Sequence, residues 1–423
     1  MKEDFLHHIW KYKLFNTVNL KTVRDESIQL LNSGLHNLNS GPDFFNAKLR
    51  IDNQLWAGNV EIHIKSSDWY IHGHEKDKNY DTIILHVVWE HDAEVYRKDN
   101  SLIPVIELKD CVDSSIFANY QLLFSTQQKW INCESEIASV DEFEISNCLE
   151  RLYIERLEQK SIPIQQLLTV SKNDWEAVLF KMLAKSFGLK VNAEAFLNLA
   201  NAIDFAILRK ERAQLKRVEA LLFGQAGMLN NTVQDAYFQS LQQEYVYLQQ
   251  KYKINPLPES QFQFFRLRPN NFPTIRIAQL AFLFHKKEHL FLQTIEINTK
   301  EEFYSLFDVS VSDYWKTHYS FTSISKKSSK KLSKSFIDLL LINTIVPLKF
   351  LYLKSINRLD EEGLLDALKQ IKPEKNTIIT KFKALGVSSE NAFESQALLQ
   401  LKNEYCTKQR CLACAIGNVI LKK

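Results

Sequence analysis

Glycine and proline are scarce in this chain, ten and nine among 423 residues. So few helix breakers argue for long helices and few flexible linkers. Six cysteines are too few for a disulfide framework at this length, and the cytoplasm is the expected compartment. The opening stretch, MKEDFLHHIWKYKLF, has no long apolar segment, so no secretory signal is expected. Uninterrupted apolar runs of membrane-span length are also lacking. The best candidate, Phe336 to Leu351, is broken by Asp338, Asn343, Pro347 and Lys349, and no membrane partner is expected. Charge of one sign is not in excess either. The 53 Lys and Arg against 50 Asp and Glu leave a net charge of +3, which excludes a polycation. Any nucleic-acid surface must then be a local patch.

What is present is an ordinary globular balance, 45% hydrophobic and 24% charged, with 27 Phe and 15 Tyr. The length allows two or three domains and a large core. Residues 4–14 read as a short amphipathic helix. From Ser27 to Leu108 the pattern is β-rich. Phe45, Ala47, Leu49 and Ile51 alternate with polar residues up to a turn at Asp52-Asn53. Val60, Ile62 and Ile64 then alternate with Glu61, His63 and Lys65. Thr82 to Trp89 is apolar enough for a central strand, and Leu102 to Leu108 is a further one. After Val112 the period becomes helical. The fold class is therefore α+β, with a mixed β-sheet domain over residues 1–135 and a mainly helical region over 136–423. No fixed-period repeat is found. Ser323 to Ser335, with Lys326, Lys327, Lys330, Lys331 and Lys334, reads as a solvated loop before a phosphate-contacting patch.

Chemistry concentrates between Gly41 and Tyr80, which holds Asp43, Glu61, His63, Lys65, Asp68, His72, His74 and Asp77. Alternation along a strand puts Glu61, His63 and Lys65 on one face. A carboxylate can hold Mg²⁺ or Mn²⁺ there, and a basic group two residues on can orient or deprotonate water. Asp43, in the Gly41-Pro42-Asp43 turn, is the second carboxylate. Read as Pro42-Asp43 followed by Glu61-Ile62-His63, with Trp69 and His72 beyond, residues 25–110 resemble the PD-(D/E)xK nuclease superfamily. That resemblance implies a restriction-endonuclease-like sheet and phosphodiester hydrolysis of DNA. His63 stands where the superfamily has lysine, and Lys65 follows two residues later. His63 or Lys65 must therefore fill that role, or the chain is an inactive relative.

Register imposes a condition. A two-residue turn at Asp52-Asn53 pairs Asp43 with Ile62, on the face opposite Glu61. A bulge, an odd loop or a bend is needed to bring Asp43 to Glu61. Two other readings stay open. His63, His72 and His74 with Asp68 or Asp77 could bind a transition metal through imidazoles. Alternatively, these side chains form a polar network around Trp69 and Tyr80.

Elsewhere, Cys406-x4-Cys411-x2-Cys414 places three thiols near Lys408 and Arg410, cations that favour thiolates. The spacing matches part of an iron–sulfur pattern, and zinc is the alternative. Cys133, Cys148 or a histidine could supply the fourth ligand. The bland reading is small residues packing a terminal helix. Arg266, Arg268 and Arg276 surround a Pro-containing loop that could grip phosphates or clamp two domains through buried ion pairs. Tyr314, Trp315, His318, Tyr319 and Phe321 suit core packing better than base stacking. Together GPDF, VEIH, SDW, EALLFGQAG, RLRPNNFPTIRIAQLA, YWKTHY and RCLACAIG resemble the domain of unknown function 2851 family of uncharacterised bacterial proteins, over nearly the whole chain. That resemblance implies no activity. Two functions follow from the residues: a metal-dependent nuclease acting on nucleic acid, or a non-catalytic scaffold that recruits a protein partner.

Overall fold

The computed structural model describes residues 1–125 and 129–423. The chain forms two compact units. The first contains residues 1–149, 380–388 and 399–423, and the second 150–379 and 389–398. The cysteine tail thus belongs with the sheet. Local periodicity had grouped it with the helical region, because periodicity carries no information on long-range contact.

In the first unit, helix α1 (Glu3–Tyr12) opens with Glu3 and Asp4 and ends near Lys11, as the helix dipole favours. It buries Phe5, Leu6, His8, Ile9 and Trp10. The strands are β1 (Leu20–Lys21), β2 (Ser27–Asn32), β3 (Leu35–His36), β4 (Phe44–Ile51), β5 (Gln54–Lys65), β6 (Ile83–Glu90) and β7 (Val105–Glu107). They form one sheet in the order β1-β2-β4-β5-β6-β7, with β3 paired to β4. β4 and β5 make the expected hairpin through Asp52-Asn53, with Asp52 at φ +47°. β6 is parallel to both β5 and β7, and its residues Ile83 to Val88 are all buried, as expected of a central strand. The β5–β6 crossover carries a short helix, α2 (Asp68–Ile71). Ser66 Oγ accepts from the backbone N–H groups of Asp92 and Ala93, which ties the end of β5 to the end of β6. Helix α3 (Ser114–Leu123), capped by Asp113, follows.

The second unit is helical apart from a short hairpin, His318–Ser320 with Ser323–Ile324. Two of its helices, Leu215–Gln225 and Pro273–Lys286, bury most of the residues they carry. The EALLFGQAG motif is core. Glu219 accepts from Ser312 and Tyr237 hydroxyls, and a Cβ on Gly224 would lie 2.1 Å from the Tyr245 ring. Trp315 stacks on Phe223 and Tyr314 on Tyr237, so that aromatic group packs the interior as expected. In the Ser/Lys stretch Lys330 differs from expectation. It is buried, donates to His318 O and covers the Tyr319 ring, while its neighbouring lysines are exposed.

Lys334–Ser355 is continuous helix, although Pro347 and polar residues interrupt its sequence. A widened π turn at Leu341–Ile345 precedes Pro347, relieving the clash of its ring with the previous turn. This is the one described helix long and apolar enough to cross a membrane. Two thirds of its apolar stretch, 67%, is buried inside the molecule.

Candidate metal centre

The hairpin of β4 and β5 starts in plain register, Ile51 opposite Gln54 and Ala47 opposite Gly58. Beyond Ala47 the register shifts, and Phe44 pairs with Val60. Phe45 and Asn46 together oppose Asn59, a β-bulge. Asn46 takes φ +57°, the left-handed region that asparagine tolerates better than most residues. Its N–H is met by Asn59 Oδ1, and Asn59 Nδ2 in turn reaches Thr82 Oγ1. The bulge meets the register condition and moves Asp43 beside Glu61. Asp43 N–H donates to Glu61 Oε2 at 3.2 Å, and Ile62 N–H donates to Asp43 Oδ2 at 2.9 Å.

The histidines come from the crossover. His72 ends α2, and Gly73 at φ +72° reverses the chain before His74. A Cβ at Gly73 would meet nothing within 4 Å, so glycine serves the backbone conformation there. The reversal aims both rings at His63, and ligand nitrogens of His63, His72 and His74 lie within 4.8 Å of one another. His63 Nε2 is 3.1 Å from His72 Nδ1 and 3.6 Å from Glu61 Oε1, and His74 Nε2 is 3.2 Å from the same oxygen. Three imidazole nitrogens thus gather, and one carboxylate oxygen faces two of them. His63 and Glu61 are buried, while His72 is exposed and leaves the cluster open on its side.

Around this core stand residues that sequence reasoning missed. His86, opposite Glu61 on β6, places Nε2 2.8 Å from His63 Nδ1. If His63 donates there, its Nε2 is left as a bare lone pair facing the cluster. His7 on α1 lies 3.3 Å from Asp43 Oδ2. Glu3, one turn before His7, is close enough to interact electrostatically with His72, His7 and Asp43. A signal for His86 was available: one imidazole inside the apolar run TIILHVVW. Nothing local marked Glu3 or His7, because their role depends on how α1 packs.

Burial dominates the electrostatics. It pushes His63 down to about 2 and His86 down to about 3, so both are neutral imidazoles. It pushes Glu61 up to about 7, helped by Asp43 and opposed by His74. For His7 burial acts downward, but the Asp43 carboxylate overcomes it and the net shift is upward. His7 Nε2 and His74 Nε2 are buried without a hydrogen-bond partner, although each lies near a carboxylate oxygen.

Other predicted residues fall elsewhere. Lys65 is exposed, with its ammonium 4.0 Å from Asp92, so it does not join Glu61 and His63. Asp68 accepts from Lys65 N–H and Asp77 from Asn79 N–H, which leaves Glu61 as the carboxylate of the histidine cluster. In the second unit, Arg276 is buried against Phe336 and donates to Gln279 and Asn271. Its partners are neutral, so it forms no ion-pair clamp. Arg268 shares a pocket of about 380 Å³ with Arg276 and Lys330, whereas exposed Arg266 lies over Phe265. Cys406, Cys411 and Cys414 line a separate pocket of the first unit, together with Cys133.

Fold and cluster define a mixed α+β protein with a histidine–carboxylate constellation at the sheet. The family model described as protein of unknown function (DUF2851) matches residues 3–377, and the chain belongs to that family. No curated protein and no solved structure matches it.

Proposed function

We propose that the protein is a metal-dependent hydrolase of phosphodiesters, with nucleic acid as substrate. The observation that carries this reading is the gathering of His63, His72 and His74 nitrogens, with Glu61 Oε1 facing His63 and His74, beside Asp43. Ligands of one ion with bonds of about 2.0–2.1 Å lie roughly 3.3 Å apart. The contacts of 3.1, 3.2 and 3.6 Å fit that spacing. Three imidazoles favour zinc, manganese or a related first-row ion over magnesium. The ion would polarise a phosphoryl oxygen and lower the pKa of bound water. His7, raised by Asp43, would serve as the acid that protonates a leaving oxygen. The order of α1, the β2-β4-β5 meander, α2 and parallel β6 is consistent with a restriction-endonuclease-like sheet, which supports the choice of substrate.

The test uses the full chain, stripped with chelator. Mn²⁺ and Zn²⁺ affinities are measured by calorimetry, and cleavage is followed on an aryl phosphodiester and on single- and double-stranded DNA. Glu61→Gln and His74→Ala should each weaken metal binding at least 10-fold and abolish cleavage. Unchanged affinity in both variants would refute the metal centre. Metal binding without cleavage of any substrate would refute the hydrolase reading.

A further inference from the structure

Four of the six cysteines converge on one pocket, far from the histidine cluster in sequence. Cys133 comes from the segment after α3, and Cys406, Cys411 and Cys414 come from the tail. Leu123, Ile137, Leu401 and Ile416 complete an apolar lining. No disulfide is present. Cys148, the other thiol proposed for this role, is buried but does not line the pocket. The tail is folded tightly to present these sulfurs. Cys411–Ala413 is a 3-10 turn, and Gly417 lies so close beneath it that a Cβ would stand 2.2 Å from Cys411 O.

The two cations expected to favour thiolates are engaged otherwise. Lys408 pairs with Glu404, and Arg410 covers the Tyr405 ring. Four sulfurs gathered in one apolar pocket supply the soft ligands that a metal centre takes.

The spacing decides which centre. Around zinc, sulfurs at about 2.3 Å from the metal lie about 3.8 Å from one another and close the space between them. Here a void of about 10 Å³, room for a water-sized sphere, remains within the lining. An opening that the four sulfurs leave unfilled suits a polynuclear group better than a single ion. The tail spacing, x4 then x2, also matches the ligand run of one class of iron–sulfur protein.

We propose that Cys133, Cys406, Cys411 and Cys414 ligate an iron–sulfur cluster. The cluster staples the chain near residue 133 to the tail, within one compact unit. It also bears on α1. His8 meets the Leu412 backbone between two of the ligands, and the next residue toward the N-terminus, His7, faces Asp43. The cluster is thereby a positioning element for that pair, and its presence does not depend on the hydrolase reading.

The test is anaerobic purification of the full chain and reconstitution with ferrous iron and sulfide, followed by desalting. The wild type should retain iron and acid-labile sulfide in equal amounts, with a visible charge-transfer band. Cys133→Ser should lose most of both, and Cys148→Ser should keep them. A second readout needs no variant. Alkylation mapped by mass spectrometry should find the four ligands protected in the loaded protein and reactive after iron is chelated in denaturant. Zinc retained in place of iron, iron without sulfide, full loading of Cys133→Ser, or alkylation of the four cysteines in the loaded protein would each overturn the proposal.

Discussion

The bulge at Phe45-Asn46 is the backbone feature on which the candidate centre stands, and it can be perturbed with little else disturbed. Asn46 is exposed, at φ +57°, and its side chain makes no described hydrogen bond. Asn46→Gly removes the Cβ penalty of the left-handed region, so stability should hold or rise slightly. Asn46→Ala should cost about 1 kcal/mol at most, since asparagine tolerates the left-handed region better than alanine does. Asn46→Val should cost about 2 kcal/mol, because a branched Cβ adds to the same clash. Deleting Asn46 gives the sharpest expectation. Two residues then no longer oppose Asn59, the ladder becomes regular, and Asp43 still faces Glu61. Phe44 is fully buried, so the register beyond it cannot slip without exposing that ring. Urea unfolding and metal calorimetry on the four variants check this. Metal affinity should stay within about 3-fold of wild type in the glycine and deletion variants. If the deletion abolished metal binding while the fold stayed intact, the claim that the bulge serves only to set the register would be wrong.

Two further outcomes follow from burial. His8 is pushed down to about 4 by burial and by Lys422, from an unfolded value near 6.5. Its contribution is therefore fully present above pH 6.5 and lost as pH falls through 4, by up to about 3 kcal/mol. His8→Phe should flatten the acid limb of a stability–pH curve, and an unchanged limb would count against a neutral His8. Arg276→Ala strands Asn271 and Gln279 and opens space beside Phe336, so it should cost about 2–3 kcal/mol in denaturant unfolding, while exposed Arg266→Ala should stay within about 0.5 kcal/mol.

The parts legible in the sequence were those set by neighbours along the chain. Alternation at 60–65 located β5, Asp52-Asn53 located the hairpin turn, and the apolar run at 82–89 located the central strand. Even the need for a bulge could be worked out, because a two-residue turn fixes parity along both strands. Its position could not, since Asn46 looks like any polar residue on a strand. The identity of the fourth thiol was hidden for a similar reason. Cys133 and Cys148 are equivalent in sequence, and only packing brings one of them to the tail. Lys65 was misplaced because alternation gives the side of a strand and not the reach of a long side chain. At the strand end its ammonium turns to Asp92. Glu3 and His7 had no signal at all, being ordinary polar residues of an amphipathic helix.

Replacing the expected lysine by His63 changes more than one side chain. A lysine ammonium beside Glu61 would repel a cation and could only steer water or phosphate. On the proposed reading an imidazole held neutral by burial instead adds a ligand. With His63 in that role, the group two residues after the carboxylate no longer supplies positive charge. In this structure that charge is best placed on α1, where Asp43 holds His7 toward its protonated form. Asp43 and Glu61 face different groups. Asp43 Oδ2 is taken by Ile62 N–H and faces His7, whereas Glu61 Oε1 faces the imidazoles. On the proposed reading the two carboxylates divide the work: Glu61 joins the ligand set, and Asp43 tunes the acid. Asp43→Asn should accordingly leave metal affinity within about 3-fold but shift the pH dependence of any activity, because His7 loses the charge that raises it. Loss of metal binding in Asp43→Asn would place Asp43 among the ligands and undo that division.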